Sequence, residues 1–132
     1  MFKKSIFLAT MSLAMTLGLF LTTNAQSGQY LGSRNVTDRL NHDRIIVTSS
    51  KGGVRRIQLR VSRRPVTFYR VVVRYATGGD DRIPLRKTIR SGGASSWLSL
   101  PGGNRRIRTV EFWYNARSFV GGTARVSLYG RR

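Results

Sequence analysis

The sequence predicts an all-β protein: a single antiparallel β-sandwich of about eight strands, with a small β-barrel as the alternative way to close the sheet. Three observations carry that expectation. Five Gly-Gly pairs, at 52–53, 78–79, 92–93, 102–103 and 121–122, punctuate the chain, and glycine supplies the positive φ angles that tight turns require. Between them lie short runs rich in Val, Ile, Thr and aromatic residues, which have the composition and length of strands. After the first 25 residues no segment sustains a 3.6-residue apolar period, so no long helix is expected.

The chain of 132 residues opens MFKKSIFLATMSLAMTLGLFLTTNAQSG. Lys3 and Lys4 make a positive start, residues 6–21 are almost wholly apolar, and Thr23-Asn24-Ala25 ends in the small residue that signal peptidase needs. Residues 1–25 therefore read as a secretory signal peptide, cleaved after Ala25, and place the protein in the periplasm or outside the cell. An uncleaved membrane anchor is the other reading of the apolar run. Residues 26–132 form the mature domain, 107 residues with room for one hydrophobic core. The chain has no cysteine, so packing alone must hold the fold in an oxidising compartment.

Strands are expected at 30–36, 44–49, 55–62, 66–76, 82–89, 96–100, 106–116 and 125–129. Eight strands in a domain of this size suit two packed sheets better than a five-stranded barrel. Two of these runs change phase internally. In VTFYRVVVRYA, Val66 and Phe68 share one parity while Val71, Val73 and Tyr75 share the other. A bulge near Tyr69 and Arg70 would bring both sets to the core. In RRIRTVEFWY, Ile107 is out of step with Val110, Phe112 and Tyr114, which places a bulge or bend near Arg108. Strand parity then buries Ile57, Leu59, Val71, Val73, Val110, Phe112 and Val126.

The same parity sorts the cations. Arg56 and Arg60 alternate with inward Ile57, Leu59 and Val61, and Arg82, Arg86 and Arg90 fall opposite to Ile83, Leu85 and Ile89. With Arg74 beside them, these arginines are candidates for one outer basic face, where Trp113 also points away from the core. The formal charge of the chain is +19, and removing Lys3 and Lys4 leaves +17 on the mature domain. Twenty of its basic residues are arginine, whose flat forked donor set suits phosphate, sulfate and carboxylate. A field of that size exceeds what solubility asks for and concentrates polyanions near the surface. Solvated outer strand positions, with long stems covering apolar surface, are the ordinary alternative for the same arginines.

The order of features resembles a widespread family of small secreted bacterial β-sandwich domains of unknown function. The matching elements are YLGSRNV, NHDRIIV and VRRIQLRV, then VTFYRVVVRYATGG and SSWLSLPGGNRRIRTVEFWY, and a closing ARVSLYGRR. The resemblance implies a compact exported β-sandwich and no particular activity. Where the family pattern has two acidic positions near NHDRI, this chain keeps Asp43 alone, which argues against a metal role for that segment.

Catalytic arrangements are scarce. His42 is the one histidine, and without cysteine it cannot anchor a zinc site; it reads as a turn residue beside Asp38 and Asp43. No serine sits in a Gly-x-Ser-x-Gly elbow, and the run TGGDD at 77–81 has the form of a hairpin turn. No cofactor is expected. The reading is a secreted, non-enzymatic binding module for anionic polymers such as acidic polysaccharide, lipopolysaccharide or extracellular DNA, with Arg56, Arg60, Arg74, Arg82, Arg86 and Trp113 as binding residues. A structural or protein-interaction domain of the envelope or extracellular matrix, without a polyanion ligand, is the alternative. Intact-mass measurement of exported protein is expected to show a chain that begins at Gln26; a membrane-bound species that retains Met1 would overturn the processing expectation.

Overall fold

The computed structural model describes residues 28–47, 53–115 and 122–132; the signal segment and the expected start at Gln26 lie outside the described residues. Nine strands follow in chain order: β1 (Gln29–Thr37), β2 (His42–Ile46), β3 (Arg56–Ser62), β4 (Val66–Tyr75), β5 (Asp80–Ile83), β6 (Lys87–Ile89), β7 (Leu98–Ser99), β8 (Ile107–Tyr114) and β9 (Thr123–Arg131). They form two antiparallel sheets. The first runs β1-β9-β3-β7, the second β2-β8-β4-β5, with β6 also pairing β4. The architecture is a β-sandwich; neither sheet closes into a barrel.

The expected run 82–89 is two strands rather than one. Pro84 separates β5 from β6, because its ring removes the N–H that a continuous ladder would use; β5 pairs with residues 71–74 of β4 and β6 with residues 66–68. The expected strand at 96–100 shrinks to Leu98–Ser99. Residues 48 and 49 of the expected strand 44–49, and residue 116 of the expected strand 106–116, lie outside the described residues.

Both phase changes are bulges at the expected places. Against β8, the β4 register slips between Phe68 and Arg70, so that Phe68 and Val71 both reach the core. The second slip sets adjacent Arg74 and Tyr75 opposite Thr109 and Ile107, which leaves Arg108 as the extra residue. The core between the sheets contains Ile57, Leu59, Val71, Val73, Val110, Phe112 and Val126, all buried. At its centre the Phe112 ring meets the Phe68 ring edge-on at 5.8 Å and Tyr114 at 5.7 Å.

One polar tie joins the layers, and a second fastens a loop to the second sheet. At the side where β1 adjoins β2, Gly32 lies so close that an added Cβ would sit 2.9 Å from Ile45 Cγ2 and 3.1 Å from the Ile46 carbonyl oxygen. Nearby, Arg34 Nε pairs with buried Asp43 at 2.8 Å, from one sheet to the other. At the opposite end, Asp81 Oδ2 accepts from the Tyr75 hydroxyl at 2.5 Å and from the Gly102 amide at 2.7 Å. Burial, and then the Asp81 carboxylate, hold the Tyr75 hydroxyl protonated well above its usual range.

Phe112→Ala removes the ring at the centre of this core and is expected to cost roughly 3–5 kcal/mol, a large share of the roughly 5–15 kcal/mol typical of a domain. Urea unfolding of the mature domain measures it; a loss below about 1 kcal/mol would mean that the ring is not an essential part of the packing.

Candidate functional site

The period-two alternation that fills the core sends the arginines to two outer faces rather than one. On the first sheet, Arg56 stands beside Arg131, Gln58 beside Tyr129, Arg60 beside Ser127, and Ser62 beside Arg125. Tyr30 and Ser33 of β1 flank Tyr129 and Ser127 from the other side. Two guanidinium groups sit over aromatic rings here. Arg60 covers Tyr129 at 3.6 Å, and Arg131 covers Trp97 at 4.3 Å. Hydrogen bonds fix others: Arg60 Nε donates to Gln58 Oε1 at 2.9 Å, and Arg125 donates to Ser33 Oγ at 2.7 Å. No Asp or Glu occupies an outward position of this sheet among the described residues.

The outer face of the second sheet is built differently. His42, Trp113 and Arg70 share one rung across β2, β8 and β4. The His42 ring stacks on Trp113 at 4.5 Å, and the Arg70 guanidinium lies over the indole at 3.9 Å. On the next rung Glu111 stands between Arg44 and Val72. Its Oε2 meets His42 Nε2 at 2.6 Å and its Oε1 accepts from Arg74 Nε. Arg74 also reaches Asp80 Oδ2 at 3.2 Å. Burial raises the Glu111 carboxyl, but the hydrogen bonds from Arg74 and His42 outweigh it and hold the group below its usual range. Val72 is outward yet buried, consistent with the long stems around it covering apolar surface.

One end of this second face holds a shallow, open depression. A cleft of about 570 Å³ is lined by Arg44, Ile46, Arg74, Arg108, Thr109 and Glu111. A smaller hollow of about 390 Å³ adjoins it along the β4–β5 turn and shares Arg74 and Arg108. The turn itself is the expected TGGD hairpin, with positive φ at both Gly78 and Gly79. Arg105 clamps it, donating to Thr77 Oγ1 at 2.7 Å and to the Gly78 carbonyl while its guanidinium covers Tyr75.

The six residues singled out from the sequence are thus divided. Arg56 and Arg60 lie on the first sheet. Arg74, Arg82 and Trp113 lie on the second, and Arg86 is exposed in the segment between β5 and β6. A single basic face containing all six does not form, because β3 pairs with β9 while β4 pairs with β8. Trp113 points outward as expected, with His42 stacked on it from one neighbouring strand and Arg70 over it from the other. His42 begins a strand instead of sitting in a turn. Sequence reasoning passed over Arg125, Arg131, Arg44 and Arg108. Parity about Val126 and Leu128 places the first two of these outside, together with Tyr129, an aromatic already open to stacking on that reading; the Arg108 bulge was legible, its proximity to Arg44 was not.

The chain belongs to the family described as Domain of unknown function (DUF2541), whose profile matches residues 7–130. No curated protein matches it. Among solved structures it is similar to one described as "Structural and functional characterization of Pseudomonas aeruginosa AlgX", at 10% identity and a TM-score of 0.50, over 83% of this chain and 27% of that one. The chain therefore spans about a quarter of that protein, and at this identity the likeness is one of fold.

A depressed carboxyl in the folded state adds stability above its unfolded value, about 4.3 for Glu, and that increment is lost as pH falls through the folded value. Wild-type protein is therefore expected to lose stability as the pH is lowered from about 4.3, with part of the loss absent in Glu111→Gln. Urea midpoints measured across this range decide it; identical acid limbs for the two proteins would show that Glu111 contributes nothing there.

Proposed function

We propose that the mature domain is a secreted, non-enzymatic module that binds anionic polysaccharide through its arginine-bearing sheet faces. The observation that carries this reading is the outer face of the first sheet. Arg56, Arg60, Arg125 and Arg131 share it with no carboxylate among the described residues. A guanidinium laid on a ring loses little further freedom when it meets an anion, so part of the ordering cost of binding is already met. Its in-plane N–H groups suit carboxylate and sulfate.

Saccharide is favoured over nucleic acid by what covers the aromatic rings. Single-stranded nucleic acid gains much of its affinity from bases stacked on open aromatic faces. Here Tyr129, Trp97 and Trp113 each carry a guanidinium, which leaves Tyr30 and Tyr69 as the exposed rings among the described residues, one on each sheet. Duplex DNA is read by a helix or two-stranded ribbon that enters a groove, and these faces belong to broader sheets of four and five strands. Free acidic polysaccharide and the phosphorylated sugars of lipopolysaccharide offer the same chemistry, and the binding assay separates them.

Binding of the mature domain to heparin, lipopolysaccharide and single-stranded DNA, each titrated with salt, tests the reading. Affinity for the anionic saccharides is expected to fall steeply with salt, and Arg56→Glu/Arg131→Glu is expected to weaken it and flatten the salt slope by about one unit per lost contact, as for phosphate. Stability should change by no more than about 0.5 kcal/mol at Arg56 and by up to about 1 kcal/mol at Arg131, which gives up its place over Trp97. A folded domain that binds none of the three even at low salt would reduce the faces to solvated strand exteriors of a scaffold; preference for single-stranded DNA would overturn the choice of saccharide.

A further inference from the structure

We infer that the domain carries two independent anion sites, back to back, and bridges two polysaccharide chains; this rests on the binding reading above. The second site is the cleft at the end of the second sheet, on the side of the sandwich opposite the Arg56–Arg131 face. Arg44 and Arg108 approach it from β2 and from the β8 bulge, and neither makes an ion pair among the described residues. Arg74 is the third cation of the cleft, but Glu111 and Asp80 already engage it. Glu111 is in turn held by His42 as well as Arg74, so the carboxylate in the cleft is already partnered by two donors. Exposed Ile46 and the Thr109 hydroxyl complete the lining. Two forked cations, a hydroxyl and an apolar contact in a concave surface fit a single acidic sugar unit. The first face differs, with Arg56 and Arg131 at one end, Arg60 in the middle and Arg125 further along β9. It is a flat track suited to several successive units.

The two surfaces cannot serve one short stretch of polymer. The sheets of a sandwich pack about 10 Å apart, and arginine side chains extend outward from each. A chain seated on one face would have to turn around the sandwich edge to reach the other, so separate chains are the simpler occupants. Two weak sites on one body then act as a cross-link, and once two chains are joined at one point further copies of the domain bind between them with the advantage of a raised effective concentration.

A sandwich capture assay tests this. Mature domain is loaded onto beads sparsely coated with heparin, washed at low salt, and exposed to fluorescent heparin. Wild-type protein is expected to retain the fluorescent chain. Arg44→Glu/Arg108→Glu is expected to stay on the beads but capture at least fivefold less, and Arg44→Gln/Arg108→Gln to show the same loss with a smaller charge change. Sedimentation of the loaded protein as a monomer excludes capture through self-association. Bead-bound wild-type protein that captures no second chain, capture unchanged in both cleft variants, or capture that requires a dimer would overturn the bridging inference while leaving single-face binding intact. Failure of the wild-type protein to bind the beads at all would overturn both readings.

Discussion

A cysteine-free domain of this size has one route to stability, which is to seal a single hydrophobic core between two sheets. Everything else in the structure follows from that constraint. Each strand must turn one face inward, so every second residue is forced out, and in a chain with twenty arginines the outward positions fill with cations. Because a sandwich has two outer faces, the charge is divided between opposite sides. The bulges at Tyr69 and Arg108 serve the same end: each lets a strand keep its apolar residues inward after the parity of the sequence has changed.

A domain with this much positive charge must also manage its own repulsion, and the two faces do so differently. The second sheet places Glu111 among Arg74, His42 and Arg44, with Asp80 as a further partner of Arg74. The first sheet offers no carboxylate and relies on ring faces and neutral oxygens: Tyr129 under Arg60, Trp97 under Arg131, and Ser33 for Arg125. Aromatic rings attract a guanidinium without neutralising it. The first face therefore keeps its full charge in a fixed geometry, and that difference makes it the stronger candidate for an anionic ligand.

Glycine is required here at places where the two sheets or a sheet and a loop come closest. At Gly102 an added Cβ would lie 2.8 Å from Asp81 Oδ2 and 2.9 Å from the Tyr75 hydroxyl, inside the hydrogen bonds that fasten the β7–β8 loop to β5. The Gly-Gly pairs that punctuate the sequence are thus more than turn markers, since 102–103 also admits the loop to a polar tie.

Which residues face the core is legible without any structure. Period-two alternation is a local property of each strand, so Ile57, Phe112 and Val126 could be assigned inward, and Trp113 and Arg60 outward, without knowing any partner strand. The same local logic located both bulges. It did not separate β5 from β6, although Pro84 was visible, because apolar parity continues across the proline while the hydrogen-bond ladder does not. Which strands share a sheet emerges from the folded chain alone. Residues 56–62 and 66–75 are consecutive, yet β3 pairs with β9 and β4 with β8, and these non-local pairings carry Arg56 and Arg60 to one side and Arg74 and Arg82 to the other. Grouping of charges on a surface depends on contacts between distant parts of the chain, and parity holds no information about them.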